Sequence, residues 1–287
     1  MIIFLQATAE GLALGAVYSL VAIGFVLIYK AMDVLSFAQP ALAVVGAGLI
    51  SSLAVDRGIP FWFALVIGIL LTGVLSLVIE RTFLRPMVGE PVFSVAILTI
   101  GIDILLRTFL DNWIGLNPRY LGDPFPSYGN FGSISIGGVV LKYLEISAFI
   151  TAVLVIILLS VFFKKSKYGV AMRATSFDQE AALAQGIDVG KIFALVWFIA
   201  GLLASFAGFF ITGGFNTLTQ LSFISALRAL PAVVSGGLDS IPGAVVGSLI
   251  IGLTQGYVAY LQTNLEGLVG FSLGSGFSLV APYLIMF

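Results

Sequence analysis

The sequence predicts an all-α fold, a polytopic transmembrane bundle of roughly eight helical spans with one shorter, broken apolar segment, and three observations carry this. Hydrophobic residues make up 60% of the chain and charged ones 9%, with a mean hydropathy of +1.14, whereas a soluble domain carries about 25% charged residues. The 13 basic and 14 acidic side chains are too few to clothe a soluble core of this length, so the lipid bilayer must cover the remainder. Apolar runs of span length recur from end to end, each able to satisfy its own backbone amides as a helix. Residues 1–287 therefore read as a single transmembrane domain.

Taken in order, spans are expected near Ala9–Tyr29, Leu35–Val55, Phe61–Ile79, Val92–Leu110, Leu144–Phe163, Ile192–Ile211 and Ala244–Leu261, with a last one from about Leu268 to Phe287. Leu221–Gly237 is apolar too, but shorter and interrupted by Pro231. The first residues lack a basic stretch and a small-residue cleavage site, so the N-terminus reads as retained chain rather than a signal peptide.

Orientation follows from the basic residues of the short loops, which stay cytoplasmic. Residues 80–90 carry Arg81 and Arg85, and 164–191 carry Lys164, Lys165, Lys167, Arg173 and Lys191. The comparably long 111–143 loop offers only Arg119 and Lys142. The two basic loops are expected inside and the N-terminus outside, which also puts Lys30 inside. The outer loop, rich in glycine and proline around Asn117, Pro118, Gly122, Pro124, Pro126, Gly129 and Gly132, reads as a cap or an irregular excursion. Glycines four apart (Gly11 and Gly15, Gly243 and Gly247, Gly252 and Gly256) mark places where helix backbones approach closely.

Charge and composition exclude several functions. Basic and acidic residues nearly cancel and no basic stripe with interleaved aromatics occurs, so nucleic acid is not an expected partner. There is neither cysteine nor histidine. Disulfides, thiolate nucleophiles and the commonest zinc ligands are thereby missing, and no metal or other cofactor is expected. An intramembrane enzyme would be left with a Ser/Lys or paired-Asp arrangement, and Asp103 has no second mid-span aspartate near it in sequence, so covalent catalysis is not expected.

The segment Arg173–Ile187 reads as a short surface helix. Ser176 with Gln179 three residues on forms a capping box, Asp178 and Glu180 suit the positive helix start, and Gly186 supplies a stop. Phe177, Ala181 and Ala184 then share a small apolar face. On these residues alone it is either a connector packed on its own bundle or a helix that docks into a partner's cleft.

Two interrupted stretches, Pro40–Gly46 and Ala229–Gly236, resemble each other weakly, one in each half. Ser36, Phe37, Gln39, Ser225, Arg228 and Ser235 lie in or beside them, where freed backbone groups and polar side chains line a wet passage or merely accompany kinks. Asp103 and Arg107, four apart on one span, are expected to pair, Asp103 serving either a pathway or a structural ion pair. Glu10 and Glu266 read as interfacial.

Four stretches carry a wider resemblance: Gly11-Leu-Ala-Leu-Gly-Ala-Val-Tyr-Ser-Leu20 with Gly24; Val34-Leu-Ser-Phe-Ala-Gln39 running on to Gly46-Ala47; Arg173-Ala174 with Glu180-Ala-Ala182 and Gly186-Ile187; and Gly236-Gly-Leu-Asp-Ser-Ile-Pro-Gly-Ala244. Essentially the whole chain resembles the permease subunits of branched-chain amino acid ABC importers, multi-pass proteins of the inner membrane. The resemblance implies that Glu180, Ala181, Ala182, Gly186 and Ile187 form the coupling helix that seats on a cytoplasmic ATPase subunit. It further implies a homologous permease partner, two ATPase subunits and an external solute-binding protein. The chain departs from the family in Ser36-Phe-Ala-Gln-Pro40, where members usually read Asn-Phe-Ala-His-Gly. It also stops at Phe287 without the usual basic tail, so either a truncated end or a last helix that ends unusually is expected.

Without the resemblance, a self-sufficient secondary transporter or channel for a small polar solute such as urea or an amide stands beside the importer subunit. No Gly-x-x-x-x-Gly-Lys-Ser/Thr phosphate loop is present, so the importer reading requires ATP hydrolysis by separate subunits.

Overall fold

The computed structural model of the chain describes residues 2–115, 117–122, 132–213, 217–219, 221–269, 280 and 283–284. Among these, seven helices are long and apolar enough to cross a membrane. They are α1 (Ile2–Met32), α2 (Gln39–Ser51, continued by a π-turn to Asp56), α3 (Phe61–Ile79, continued to Met87), α4 (Val92–Ile114), α5 (Tyr143–Lys165), α8 (Val189–Gly213) and α11 (Ile241–Val269). Two short helices, α6 (Lys167–Phe177) and α7 (Gln179–Ala184), precede α8, and the broken pair α9 (Leu221–Leu227) and α10 (Ala229–Gly236) precedes α11.

A helix that is apolar all round has no face to offer water and belongs inside a bundle. That is the position of α1: 89% of its most apolar window is buried, against 11% for α5. It is wrapped by α11, α8, α5 and α10. The outer layer, α3, α4 and α5, turns Val66, Leu70, Ile104, Leu105, Leu154 and Ile157 outward, as lipid contact requires.

Lipid tails are as apolar as the helices, so association inside a bilayer rests on close packing rather than on hydrophobic burial. The α1–α11 crossing shows how it is reached. A Cβ placed on Gly11 would lie 2.8 Å from the Leu253 Cα, and one on Gly15 2.8 Å from the Leu249 Cα. The glycine pairs read from the sequence are thus contact points within one bundle. Between α3 and α8, the Ser76 hydroxyl donates to the Trp197 carbonyl at 2.7 Å.

Small strands cap one end. The hairpin β2 (Ser133–Ile136) and β3 (Val139–Lys142) turns at Gly137 and Gly138, both at positive φ, which glycine adopts without strain. Gln6 holds it against α1, donating to the Val140 carbonyl at 2.9 Å and accepting from the Val140 N–H at 2.8 Å. The pair β1 (Arg119–Tyr120) and β4 (Thr217–Leu218) bridges the α4–α5 and α8–α9 connections. Arg119 pairs with Asp56 and donates to the Ser51 hydroxyl at 3.1 Å.

Several expectations are revised. The second span begins at Gln39, not Leu35, with Pro40 in its first turn, where its missing N–H is no loss. The 111–143 loop starts later, since α4 runs to Ile114, and it ends in a hairpin. Residues 123–131 of that loop, nearly all of the eighth predicted span and the side chain of Glu266 lie outside the described residues.

Candidate translocation site and the α6–α7 helix pair

The 164–191 segment holds two helices where one was expected. Ser166 starts α6 by accepting from the Tyr168 N–H at 3.1 Å. Ser176 lies inside α6 and caps nothing. Asp178 is the N-cap of α7, accepting from the Ala181 N–H at 2.9 Å, because its extended backbone breaks the two helices apart. Gly186, at φ +81°, ends α7: the Ile187 N–H reaches back to the Ala182 carbonyl at 3.0 Å and the Gly186 N–H to Leu183 at 2.9 Å.

Ala182 is the buried face of α7, while Ala181 and Ala184 are exposed and Phe177, at the end of α6, is 94% exposed. The expected Phe177–Ala181–Ala184 stripe is replaced by a cleft between the two helices, lined by Val170, Ala174, Phe177, Ala181, Ala182 and Ile187. Glu180 stands on the rim of α7, exposed.

Of the predicted pathway residues, the first group sits at the α1–α2 break. Ser36 and Gln39 are fully buried, and Phe37 is anchored through its N–H to the Thr99 hydroxyl at 3.1 Å. The Gln39 side-chain amide donates to the Ala200 carbonyl at 2.9 Å, in space left by Gly24, where a Cβ would come within 3.0 Å of the Gln39 Cδ. Ser36 Oγ, Gln39 Oε1 and Ser205 Oγ find no partner among the described residues.

The second group follows from Pro231. Its ring excludes the carbonyl four residues back, that of Leu227, from helical bonding, so α9 ends there and α10 resumes after a turn at Arg228. Arg228 is 7% exposed and its Nε has no partner among the described residues. Ser225, one turn earlier, and Arg228 both line a cavity of about 250 Å³ with Tyr18, Gln255, Glu10, Lys142 and Glu145. Ser235 is not among its lining residues: its hydroxyl donates to the Pro231 carbonyl at 2.6 Å. Asp103 pairs with Arg107, whose guanidinium carbon lies 4.1 Å over the Phe223 ring, so this pair ties α4 to α9, and neither residue lines the cavity.

Tyr18 lies at the middle of α1, and its hydroxyl donates to Gln255 Oε1 at 2.7 Å. The Arg228 guanidinium acts on the same hydroxyl. Glu10 is eight residues nearer the start of α1, about 12 Å along its axis, where it accepts from Tyr260 at 2.6 Å and from Gln6 at 2.7 Å. Glu145 pairs with Lys142 at 3.5 Å. The cavity therefore has a guanidinium at mid-bundle depth and carboxylates at its mouth. Sequence reasoning did not single out Tyr18 or Gln255 and set Glu10 aside as interfacial, although each is a polar residue in an apolar span.

A multi-helix membrane bundle with a polar cavity at a broken helix and a capped helix pair beyond its spans defines a membrane transport component. The chain belongs to the family described as branched-chain amino acid transport system / permease component, whose model matches residues 7–281. Among its relatives is the high-affinity branched-chain amino acid transport system permease protein BraD of Pseudomonas aeruginosa, 30% identical over 89% of this chain and 86% of BraD. Another is LivH of Escherichia coli, 27% identical over 94% of this chain and 91% of LivH. The solved structure of PsaBC from Streptococcus pneumoniae in complex with Fab superposes over 99% of this chain and 91% of that one with a TM-score of 0.51; at 17% identity it shares the fold. The protein is thus a multi-pass membrane permease.

Proposed function

We propose that this chain is the membrane-spanning permease subunit of an ATP-driven importer of branched-chain or related amino acids. It works with a homologous permease, two cytoplasmic ATPase subunits and an external solute-binding protein, its N-terminus outside and its basic loops in the cytoplasm of the cell that bears it. The observation that carries this reading is the uncovered cleft between α6 and α7, with Phe177 standing 94% exposed beside it. An aromatic ring left bare on a polar membrane face marks a docking surface.

Glu180, Ala181, Ala182, Gly186 and Ile187 supply a rigid, doubly capped element that carries a partner's motion into α8, which begins three residues after Gly186. Ser36, Phe37, Gln39, Asp103, Ser225, Arg228 and Ser235 are assigned to the pathway or its immediate walls. The test is uptake of labelled leucine into proteoliposomes. Uptake that needs the ATPase subunits, external binding protein and ATP, and that is lost in Phe177→Asp together with ATPase co-purification, fits the reading. Uptake by the lone chain overturns it in favour of a self-sufficient transporter or channel.

A further inference from the structure

A guanidinium at mid-bundle depth is costly unless something meets its charge. Arg107 has Asp103, Arg119 has Asp56, and Lys142 has Glu145. Among the described residues no carboxylate pairs with Arg228, and its Nε is buried without an acceptor although it lines the cavity. Of its neighbours there, the Tyr18 hydroxyl donates to Gln255 Oε1 and turns its oxygen to the guanidinium, a neutral contact that leaves the charge of Arg228 unmet.

The charges lining the cavity are Glu10, Glu145, Lys142 and Arg228, which cancel in number but not in place. The uncompensated positive charge is at the floor, and Glu10, which among the described residues has no cationic partner, is at the mouth. Such a layered field orients a zwitterion, its negative group down and its positive group toward the entrance. It offers little to a sugar, which has no charge to meet the guanidinium, and the volume falls at or below the small end of ligand pockets, roughly 300–1,000 Å³.

We infer that Arg228 is the carboxylate-binding residue of this cavity, receiving an α-amino acid acid-end first with its ammonium group toward Glu10. The planar fork of an arginine matches a carboxylate bidentately, which an ammonium of the same charge does not. The inference rests on the amino-acid importer reading and adds the site and orientation of the substrate.

The absence of cysteine makes the test direct. Ser225→Cys is introduced into the assembled complex in proteoliposomes, and labelling of this chain by anionic and cationic methanethiosulfonates of similar size is followed by mass spectrometry. The anionic reagent should react about tenfold faster, as expected for a nearby unscreened charge. Arg228→Gln should remove that preference and Arg228→Lys should keep it, so that a folding defect in one variant is not decisive. Millimolar L-leucine should slow labelling when Arg228 is present, and leucinamide should not. Equal rates for the two reagents, or leucine protection that persists in Arg228→Gln, overturn the subsite. ATP-driven leucine uptake by the unmodified complex is measured in parallel. Its absence refutes the amino-acid reading whatever the labelling shows, whereas uptake without charge selectivity refutes the Arg228 assignment alone.

Discussion

The Tyr18 hydroxyl at the middle of α1 and the Gln255 side chain on α11, 237 residues apart in sequence, share a buried hydrogen bond of 2.7 Å that forms one wall of the cavity beside Arg228. Removing the hydroxyl leaves Gln255 Oε1 without its donor in a bundle that offers little water. A buried acceptor stripped of its partner costs about 1–3 kcal/mol. Tyr18→Phe should lower the thermal midpoint of the purified protein, and Gln255→Leu in the same chain should recover most of the loss. Detergent-solubilised thermal unfolding of the two variants and the double variant checks this; additive losses would show that the pair is not coupled.

The α1–α11 crossing depends on bare backbone at Gly15, where a single added methyl already meets the Leu249 Cα. Overpacking a tight contact costs about 1–3 kcal/mol. Gly15→Val is expected to exceed the low end of that range and to reduce the folded yield, whereas Gly101→Ala on α4, which has nothing within 4 Å, should be neutral. Size-exclusion profiles of the two variants decide it.

At Gly186 the constraint is the backbone alone, since nothing lies within 4 Å of an added Cβ. Left-handed conformation costs a β-substituted residue roughly 1–2 kcal/mol. Gly186→Val should loosen the end of α7 and weaken ATPase association severalfold, while Gly186→Asn, which tolerates positive φ, should retain most of it. Pull-down with the ATPase subunits reads the ranking, and equal binding by all three chains would contradict a coupling role.

Asp103 and Arg107 test whether an intramembrane charge serves the passage or only the packing. Asp103 is buried but the Arg107 side chain is 41% exposed, so stranding one partner should cost less than the about 3–5 kcal/mol of a fully buried pair, whereas replacing both with apolar residues is often neutral. Asp103→Leu is expected to impair folding, and Asp103→Leu with Arg107→Met to restore both folding and uptake. Restored folding without uptake would instead place Asp103 in the pathway.

Asp188 begins α8 by accepting from the Lys191 N–H at 3.1 Å and from its ammonium group at 3.0 Å, and these contacts hold its carboxyl below the usual carboxylate range. A depressed folded value means that the stabilisation is present above the unfolded value, about 3.9, and fades as pH falls through the folded one. Asp188→Ala should therefore melt earlier than the parent at pH 7, and the gap should close in acid below that window. A gap that is unchanged in acid would assign the effect to something other than the charge.

Much of this protein was legible in its residues. Seven of the predicted spans reappear as long helices because twenty apolar residues in a row leave the backbone no alternative in lipid. The glycine stop at Gly186 and the breaks at Pro40 and Pro231 were equally local, each fixed by one residue's dihedral limits. The capping of α7 was misplaced by two residues because Ser176 and Asp178 are both competent caps, and only packing of Ala182 against the bundle chose between them.

What the sequence by itself determined is the solvent, the helices and their interruptions, since these depend on composition and on interactions within a turn or two. What only the tertiary structure decided is which polar groups meet. An apolar-all-round helix such as α1 carries no mark of which neighbour each face will find, so the meeting of Tyr18, Gln255 and Arg228 had no signature in any one segment. It follows from the depth at which α1, α9, α10 and α11 cross, and that depth is set by glycine contacts whose partners lie at the other end of the chain.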